Sequence, residues 1–165
     1  TTPFLMEGLK NNFELHWDGN CDPEFMKTNY DPRLVVIDDQ SLETDETRAD
    51  NRRKLITDNT SNIVDFIEGD FMNPDIMSQV KDTHSEFDMC WFDCGGPIEL
   101  QFFLDNYLDI VKEYFVVHFT FFKGKENKNG ETISKFLETN SHIQRLDIIE
   151  PHKYRQGSIT ILRKT

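Results

Sequence analysis

The hydrophobic residues of this chain fall into short runs separated by longer polar or amphipathic stretches. The run from Leu34 to Ile37 is almost wholly β-branched and apolar, which is typical of a strand in a parallel sheet. Strands that alternate with helical patterns predict βα units. The predicted strands are residues 13–17, 34–37, 63–67, 89–92, 114–122, 142–149 and 158–163, and the predicted helices are residues 3–12, 24–28, 41–58, 73–83, 98–113 and 133–137.

Two of the predicted helices differ in where their side chains are expected to lie. Residues 41–58 carry opposite charges at helical spacings, which predicts a solvated outer face and not a binding site. The helix at 98–113 instead has a stripe that predicts burial in the core. That stripe consists of Phe102, Phe103, Tyr107, Ile110, Val111 and Tyr114.

The last two predicted strands, 142–149 and 158–163, are separated only by residues 150–157. That gap is too short for a helical crossover, so the two strands should be antiparallel neighbours. The whole pattern predicts an α/β fold with three layers, in which helices cover both sides of a mostly parallel sheet that ends in an antiparallel hairpin. The length predicts one domain over residues 1–165.

Acidic residues follow several predicted strands, and Asp93 is the first candidate for a functional residue among them. It ends the apolar run 89–92 and is followed by Cys94, Gly95 and Gly96. In open parallel sheets, ligands bind beyond the carboxyl ends of the strands, so a carboxylate there is well placed for chemistry. The alternative is that Asp93 only caps the next helix or accepts hydrogen bonds from turn amides.

The composition restricts the class of partner. A formal net charge of -12 and a pI of about 4.7 argue against duplex nucleic acid and anionic membranes, and favour a small molecule or a protein. The three cysteines are most simply reduced thiols in a cytoplasm. The sequence shows no signal-peptide pattern and no run of apolar residues long enough to span a membrane, so we expect a cytoplasmic location.

The chain resembles a class I S-adenosylmethionine-dependent methyltransferase over nearly its whole length. The resemblance rests on the order and spacing of four pieces and implies a Rossmann-like fold, S-adenosylmethionine as cofactor and methyl transfer as the reaction. The pieces are LVVIDD from Leu34 to Asp39, FIEGDF from Phe66 to Phe71, FDMCWFDCGG from Phe87 to Gly96, and the terminal hairpin.

The resemblance gives a role to the acidic residues after the second and third strands. Asp38, or Asp39 if the register slips by one residue, matches the acid that holds the two ribose hydroxyls of the cofactor. A carboxylate can accept from both hydroxyls at once. Asp70 and Phe71 match the positions that contact the adenine amino group and ring. The alternative for Asp70 is a residue that only shapes its turn.

Asp93 matches the fourth-strand position that faces the sulfonium and the acceptor. It can take a proton from the acceptor, bind a divalent metal as in catechol-type O-methyltransferases, or only position the cofactor. His118 near the end of the fifth strand is the nearest candidate helper, although a histidine in an apolar strand is commonly a hydrogen-bonded core residue. The Asp-Asn pair of the catechol-type metal site is absent, because His118, Phe119 and Thr120 stand there, so metal-free transfer is favoured.

The chain departs from the family in the turn after the first strand. This turn is normally rich in glycine, so that the cofactor can approach the backbone, but in the segment from His16 to Phe25 only Gly19 remains of that pattern. Either the cofactor binds with altered geometry through Asp18, Gly19 and Asn20, or cofactor binding has been lost.

The sequence therefore predicts methyl transfer from S-adenosylmethionine to oxygen or nitrogen of a small-molecule acceptor. The alternative is a catalytically silent protein of this fold that acts through protein contacts. A nicotinamide-dependent oxidoreductase is disfavoured because no GxGxxG turn is present, and GxxxxGK[ST] and GxSxG are absent too. The acceptor pocket is short of lid segments, so it either stays open to a large acceptor or is completed in a homodimer.

Overall fold

The structure of the protein, a computed structural model, describes residues 5, 7–12, 32–40, 45–57, 63–149 and 157–165. The chain divides into two compact units, Thr1–Ile76 and Met77–Thr165. One domain over residues 1–165 stays a prediction. The predicted first strand at 13–17 and the brief helix at 24–28 lie outside the described residues.

The first unit contains a pair of parallel strands, β1 (Leu34–Asp38) and β2 (Val64–Glu68), each of which extends one residue beyond its predicted end. Asp38 pairs with Glu68, and the backbone N–H of Gly69 donates to the carbonyl of Asp38 at 3.2 Å. The carboxyl ends of both strands therefore lie at the same edge.

Two helices also belong to this unit. Residues 7–12 form α1, and Glu46–Thr57 form α2, which begins later than the predicted residue 41. The start of α2 follows from Asp45, whose carboxylate accepts from the Thr47 amide at 2.9 Å and so caps the first turn. The described side chains of α2 are mostly exposed, which confirms the predicted solvated helix, and Arg53 pairs with Asp50 and Glu68.

The second unit is built on a four-stranded mixed sheet. Strand β3 runs parallel to β4, and the last strand of the chain is antiparallel to both of its neighbours, which confirms the predicted terminal hairpin. This last strand lies inside the sheet, and the strand before it forms the edge. In spatial order the strands are β3 (Phe87–Phe92), β4 (Val111–His118), β8 (Ser158–Lys164) and β7 (Ile143–Ile149).

One helix precedes this sheet along the chain, and two further described helices connect its strands. Pro74–Thr83 form α3, which begins in the first unit and ends in the second, as the pattern at 73–83 predicts. Pro97–Asn106 form α4 between β3 and β4, and Lys128–Thr139 form α5 between β4 and β7. No helix in the described part of the chain is long and apolar enough to cross a membrane.

An aromatic cluster fills the core between α4 and the sheet. The ring of Phe103 stacks on Phe115 with centroids 5.0 Å apart and on Tyr107 with centroids 4.8 Å apart, and Phe92 meets Phe103 edge-on. The predicted stripe is therefore core at Phe103, Tyr107 and Val111, whereas Phe102 and Ile110 are half-buried. Tyr114 is 36% exposed, because its neighbour Phe115 points into the core and successive side chains of a strand point to opposite faces.

The helix predicted at 98–113 is wrong in its second half. It ends at Asn106, a 3-10 turn follows at Leu108–Ile110, and β4 begins at Val111. The amino group of Lys164 donates to the carbonyls of Leu108 and Val111, so the last strand holds the 3-10 turn and the start of β4 in place.

The strand predicted at 114–122 is wrong in its last residues. It ends at His118, and Phe121–Phe122 (β5) instead pair with Lys125–Glu126 (β6) in a small hairpin. The turn residues Lys123 and Gly124 have φ of 52° and 75°, which is the backbone of the tight hairpin turn.

The helix predicted at 133–137 is longer than predicted and begins earlier. Helix α5 is twelve residues long and begins at Lys128. Its start is set by Asn127, whose side chain accepts from the amides of Asn129 and Gly130 at 2.9 and 3.1 Å. An asparagine cap satisfies backbone donors that would otherwise be unpaired, which stabilises the helix upstream of its apolar residues.

Candidate active site

Asp93 lies at the carboxyl end of β3, where a tight turn leads into α4. Gly95 has φ of +63°, and a Cβ at this residue would lie 2.5 Å from the Cβ of Glu99. The turn therefore requires glycine for its backbone conformation and for its space. Gly96 donates from its amide to Glu99 at 2.8 Å, and hydrogen bonds from the amides of Glu99 and Gly96 lower the pKa of the Glu99 carboxyl.

His118 ends β4, and the backbone immediately after it is held in an uncommon conformation. Phe119 has φ of +56°, which is rare for a bulky residue. Its N–H donates to the carbonyl of Ser158 at 2.9 Å, and its carbonyl accepts from the side chain of Asn127 at 2.8 Å. Such strain persists where the surroundings determine the backbone, and it is concentrated at functional sites.

A buried chain of hydroxyl groups supports the same strand end. The hydroxyls of Thr120 and Thr160 are 2.7 Å apart, and Thr160 donates to Asp147 at 2.6 Å. Helix α5 packs so closely that a Cβ at Gly130 would lie 2.5 Å from the Thr120 carbonyl. This support was not predicted from the sequence, where its signal is the pair of small hydroxyl residues, Ser158 and Thr160, in the last strand.

The structure brings the two predicted catalytic residues into contact. Nδ1 of His118 lies 2.5 Å from Oδ1 of Asp93, because β3 and β4 are parallel neighbours that end at the same edge. The His118 side chain is 18% exposed and that of Asp93 is 43% exposed. The pair is therefore anchored in the sheet on one side and open to solvent on the other.

Trp91 flanks this pair. Its ring lies 6.3 Å from that of His118 at 31°, and its indole nitrogen is buried with no hydrogen-bond partner among the described residues. The chemistry follows from the contact between His118 and Asp93. When Nδ1–H of the imidazole donates a hydrogen bond to the carboxylate, Nε2 carries no proton and can act as a base. If Nε2 then takes a proton, the carboxylate stabilises the imidazolium that forms.

The first unit contains the other predicted site residues that the structure describes. One oxygen of Asp38 accepts from the Gln40 amide at 2.8 Å, and the second oxygen has no hydrogen-bond partner in the described part of the chain. Asp39 is exposed. Asp70 accepts from the Met72 amide at 2.8 Å, so it shapes its turn with one oxygen, and Phe71 beside it is half-buried.

The remaining predicted residues, Asp18, Gly19 and Asn20, lie outside the described residues, as does the whole segment 16–25. Among the residues that the structure describes, no three His, Cys, Asp or Glu side chains are grouped so that they could hold a metal ion.

Several solved structures resemble this chain, whereas no protein-family model and no curated protein sequence matches it. The O-methyltransferase from Bacillus cereus, solved with S-adenosylhomocysteine, is 16% identical with a TM-score of 0.57 over 81% of this chain and 63% of its own. The O-methyltransferase TomG from Streptomyces achromogenes, solved with S-adenosylmethionine, is 16% identical with a TM-score of 0.56 over 81% and 62%. An rRNA methylase from Streptococcus thermophilus is 9% identical with a TM-score of 0.53 over 81% and 88%.

The protein has a class I methyltransferase-like fold. The α/β class, the parallel pairs and the antiparallel hairpin of the sequence prediction are thereby confirmed. The match spans less than two thirds of the length of the two O-methyltransferases.

Within this methyltransferase-like fold, two cysteines flank the end of β3 and give a prediction about their reactivity. Burial of the thiol, with a smaller contribution from the nearby Cys94, raises the pKa of Cys90 to about 12, whereas Cys94 itself is exposed. Because the thiolate is the nucleophile, Cys90 should resist iodoacetamide at about pH 8 while Cys94 is alkylated. Peptide mapping of the native protein measures both rates, with the denatured protein as the control in which the rates converge. Equal native rates would contradict the burial of Cys90.

Proposed function

We propose that the protein is a methyltransferase that transfers a methyl group from S-adenosylmethionine to oxygen or nitrogen of a small-molecule acceptor. The observation that carries this proposal is the contact between Asp93 and His118 at the carboxyl ends of two parallel strands. Two neighbours in fold, from Bacillus cereus and Streptomyces achromogenes, were solved with S-adenosylhomocysteine and S-adenosylmethionine, which supports this cofactor.

The acidic strand ends of the first unit fit the polar groups of that cofactor. The second oxygen of Asp38 is available to accept from ribose hydroxyls, and Asp39 is the alternative residue for this role. Asp70 likewise uses one oxygen for the Met72 amide, and its other oxygen can accept from an adenine amino group beside Phe71. The amino-acid end of the cofactor would be held by Asp18, Gly19 and Asn20.

The contact between Asp93 and His118 provides a base for the acceptor. Bound S-adenosylmethionine supplies a methyl group on a positively charged sulfur. Nε2 of His118 takes the proton of the acceptor hydroxyl or ammonium, and Asp93 holds the imidazole in the tautomer that makes Nε2 basic. Because the enzyme mainly has to align reacting atoms, the fixed backbone at Phe119 also contributes by holding His118 in place.

The charge of the protein favours neutral or cationic acceptors of small size. A formal net charge of -12 repels polyanions, although one neighbour in fold is named as an rRNA methylase. The acceptor pocket either remains open or is completed by a second copy of the chain.

Calorimetric titration of the metal-free protein with S-adenosylhomocysteine and with S-adenosylmethionine tests the proposal. We expect dissociation constants in the micromolar range, roughly where many enzymes bind their ligands. No heat and no thermal shift at millimolar ligand would remove the methyltransferase function and leave a protein that acts through protein contacts.

Asp38→Asn is expected to weaken S-adenosylhomocysteine about 10- to 100-fold. Asparagine keeps the oxygen that accepts from the Gln40 amide, so the turn survives, but it removes the charge-assisted bond to hydroxyls, which contributes roughly 1.5–3 kcal/mol. Asp45→Asn is the matched control, since Asp45 makes the same kind of turn with the Thr47 amide away from any strand end. Equal affinity of both variants and the wild type would remove Asp38 from the binding site.

A further inference from the structure

Strand β7 forms one edge of the four-stranded sheet, and its outer side is open. Among the described residues, no strand pairs with that side, and the register of β7 with β8 runs without a bulge over all of Ile143–Ile149. The strand contains no proline, glycine or lysine, whereas natural edge strands commonly use proline, lysine or a bulge to prevent pairing with another chain. A regular edge of this length is a template for a further strand.

One face of β7 is apolar and exposed. Leu146 is 58% exposed and Ile148 is 48% exposed. Both side chains point to the same face, because successive side chains of a strand alternate between its two faces. Exposed apolar side chains beside an open strand edge mark a site of interaction with a partner.

The hydrogen bonds between β7 and β8 determine which backbone groups of β7 point outward. The N–H of Thr165 donates to the carbonyl of His142 at 3.2 Å, and residues that bond to the neighbour alternate along an antiparallel pair. Leu146 therefore bonds towards β8, whereas the N–H and C=O groups of Arg145 and Asp147 point to the open edge. These outward groups are the donors and acceptors that a second antiparallel strand requires.

The two charged residues of β7 do not oppose such pairing. They lie on the face that packs against α5, where Arg145 donates to the hydroxyl of Ser134 at 2.7 Å. Nε of Arg145 also lies 2.9 Å from Oδ1 of Asp147. The edge therefore presents no uncompensated charge to a partner.

The order of these charges indicates that the partner is a second copy of the chain. In an antiparallel pair with a two-fold axis at Leu146, Arg145 of each copy lies opposite Asp147 of the other. An axis at Arg145 or at Asp147 would instead place like charges opposite each other, which is unfavourable. The strand is thus self-complementary in one register, in which the two Leu146 side chains form a close pair without hydrogen bonds between their backbones.

We propose that the protein forms a homodimer through β7, in which two copies pair antiparallel around Leu146 and join their sheets into one continuous sheet. The outward backbone groups of each copy are then satisfied by the other, and the exposed apolar side chains of the two copies pack side by side. Dimerisation through this edge requires neither cofactor nor acceptor, so it stands apart from the proposed function.

Sedimentation equilibrium of the wild type over a range of micromolar concentrations tests the dimer. We expect twice the 19.5 kDa of one chain. Leu146→Lys should sediment as a single chain, because like charges directly opposite each other destabilise a strand pair. Since Leu146 is exposed, this variant should fold, which circular dichroism checks. Ile98→Lys is the control: Ile98 is 72% exposed on α4, away from the edge, and this variant should remain a dimer.

A disulfide experiment tests the register in a background of Cys21→Ser and Cys94→Ser. Leu146→Cys should form a disulfide between two copies on oxidation, because a pair without backbone hydrogen bonds brings the Cα atoms to about 4.5 Å, within the range of a disulfide. Gln144→Cys is the matched control. Residue 144 lies opposite Ile148 of the other copy, so Gln144→Cys should cross-link only when it is mixed with Ile148→Cys.

Each outcome supports or overturns the interface. A wild type that sediments as a single chain at every concentration overturns it, as does a dimer that Leu146→Lys leaves intact. Gln144→Cys alone cross-linking as readily as Leu146→Cys overturns the register. A dimer that is lost in Leu146→Lys, kept in Ile98→Lys and cross-linked in Leu146→Cys supports the proposal.

Discussion

Asp93→Asn is expected to lower turnover about 100- to 10,000-fold while S-adenosylhomocysteine binds within about twofold of the wild type. The neutral amide oxygen is a weaker acceptor for Nδ1–H of His118 than a carboxylate, and the amide NH2 can donate to Nδ1 instead, so the tautomer that makes Nε2 basic is no longer enforced. It also cannot stabilise an imidazolium. The measurement is transfer of a labelled methyl group from S-adenosylmethionine to a panel of hydroxyl and amine acceptors.

Two comparisons make this result specific to the pair. Asp88→Asn changes an exposed acid on the same strand and should leave turnover unchanged. His118→Asn should lower turnover by a similar factor. The double variant should lower it little further, since the effects of residues that act as one unit are not additive. Turnover of Asp93→Asn equal to that of the wild type would show that Asp93 only shapes the turn into α4.

Phe115→Ala is expected to lower the free energy of unfolding by about 3–5 kcal/mol, the usual cost of removing a buried phenylalanine ring. Phe115 is 1% exposed and stacks on Phe103, so its loss leaves a cavity at the centre of the aromatic cluster. Urea denaturation followed by circular dichroism and tryptophan fluorescence measures this change.

Tyr114→Ala serves as the control for that experiment. Tyr114 is the preceding residue of the same strand but points to the opposite, more exposed face, where Arg163 lies over its ring. We expect Tyr114→Ala to lower the free energy of unfolding by about 1 kcal/mol or less, through the loss of that contact. Equal losses for the two variants would contradict the assignment of Phe115 to the core.

The elements that could be predicted from the sequence are those with strong local patterns. The apolar run at 34–37 became β1, the helix predicted at 73–83 became α3, and the short connection at 150–157 correctly predicted antiparallel pairing of the last two strands. These predictions depend on burial and chain reach over a few residues, which local sequence determines.

The predictions that were wrong concern elements whose ends depend on partners far along the chain. The helix after Asp93 ends at Asn106 because β4 must begin at Val111 to pair with β3, and Lys164 from the last strand satisfies the carbonyls at that junction. Likewise β4 stops at His118 where Ser158 and Asn127 hold the backbone of Phe119. Local propensity alone favours a longer helix and a longer strand.

The sequence by itself determined which residue types stand at the strand ends, and so it identified Asp38, Asp70, Asp93 and His118 as candidates. Only the tertiary structure decided which of them touch. Parallel pairing of β3 and β4 joins Asp93 to His118 across a separation of 25 residues, and the order of the strands leaves β7 at the edge of its sheet. The reason is physical: strand ends can be recognised from local patterns of hydrophobicity, whereas contacts and unsatisfied hydrogen bonds depend on how distant segments pack.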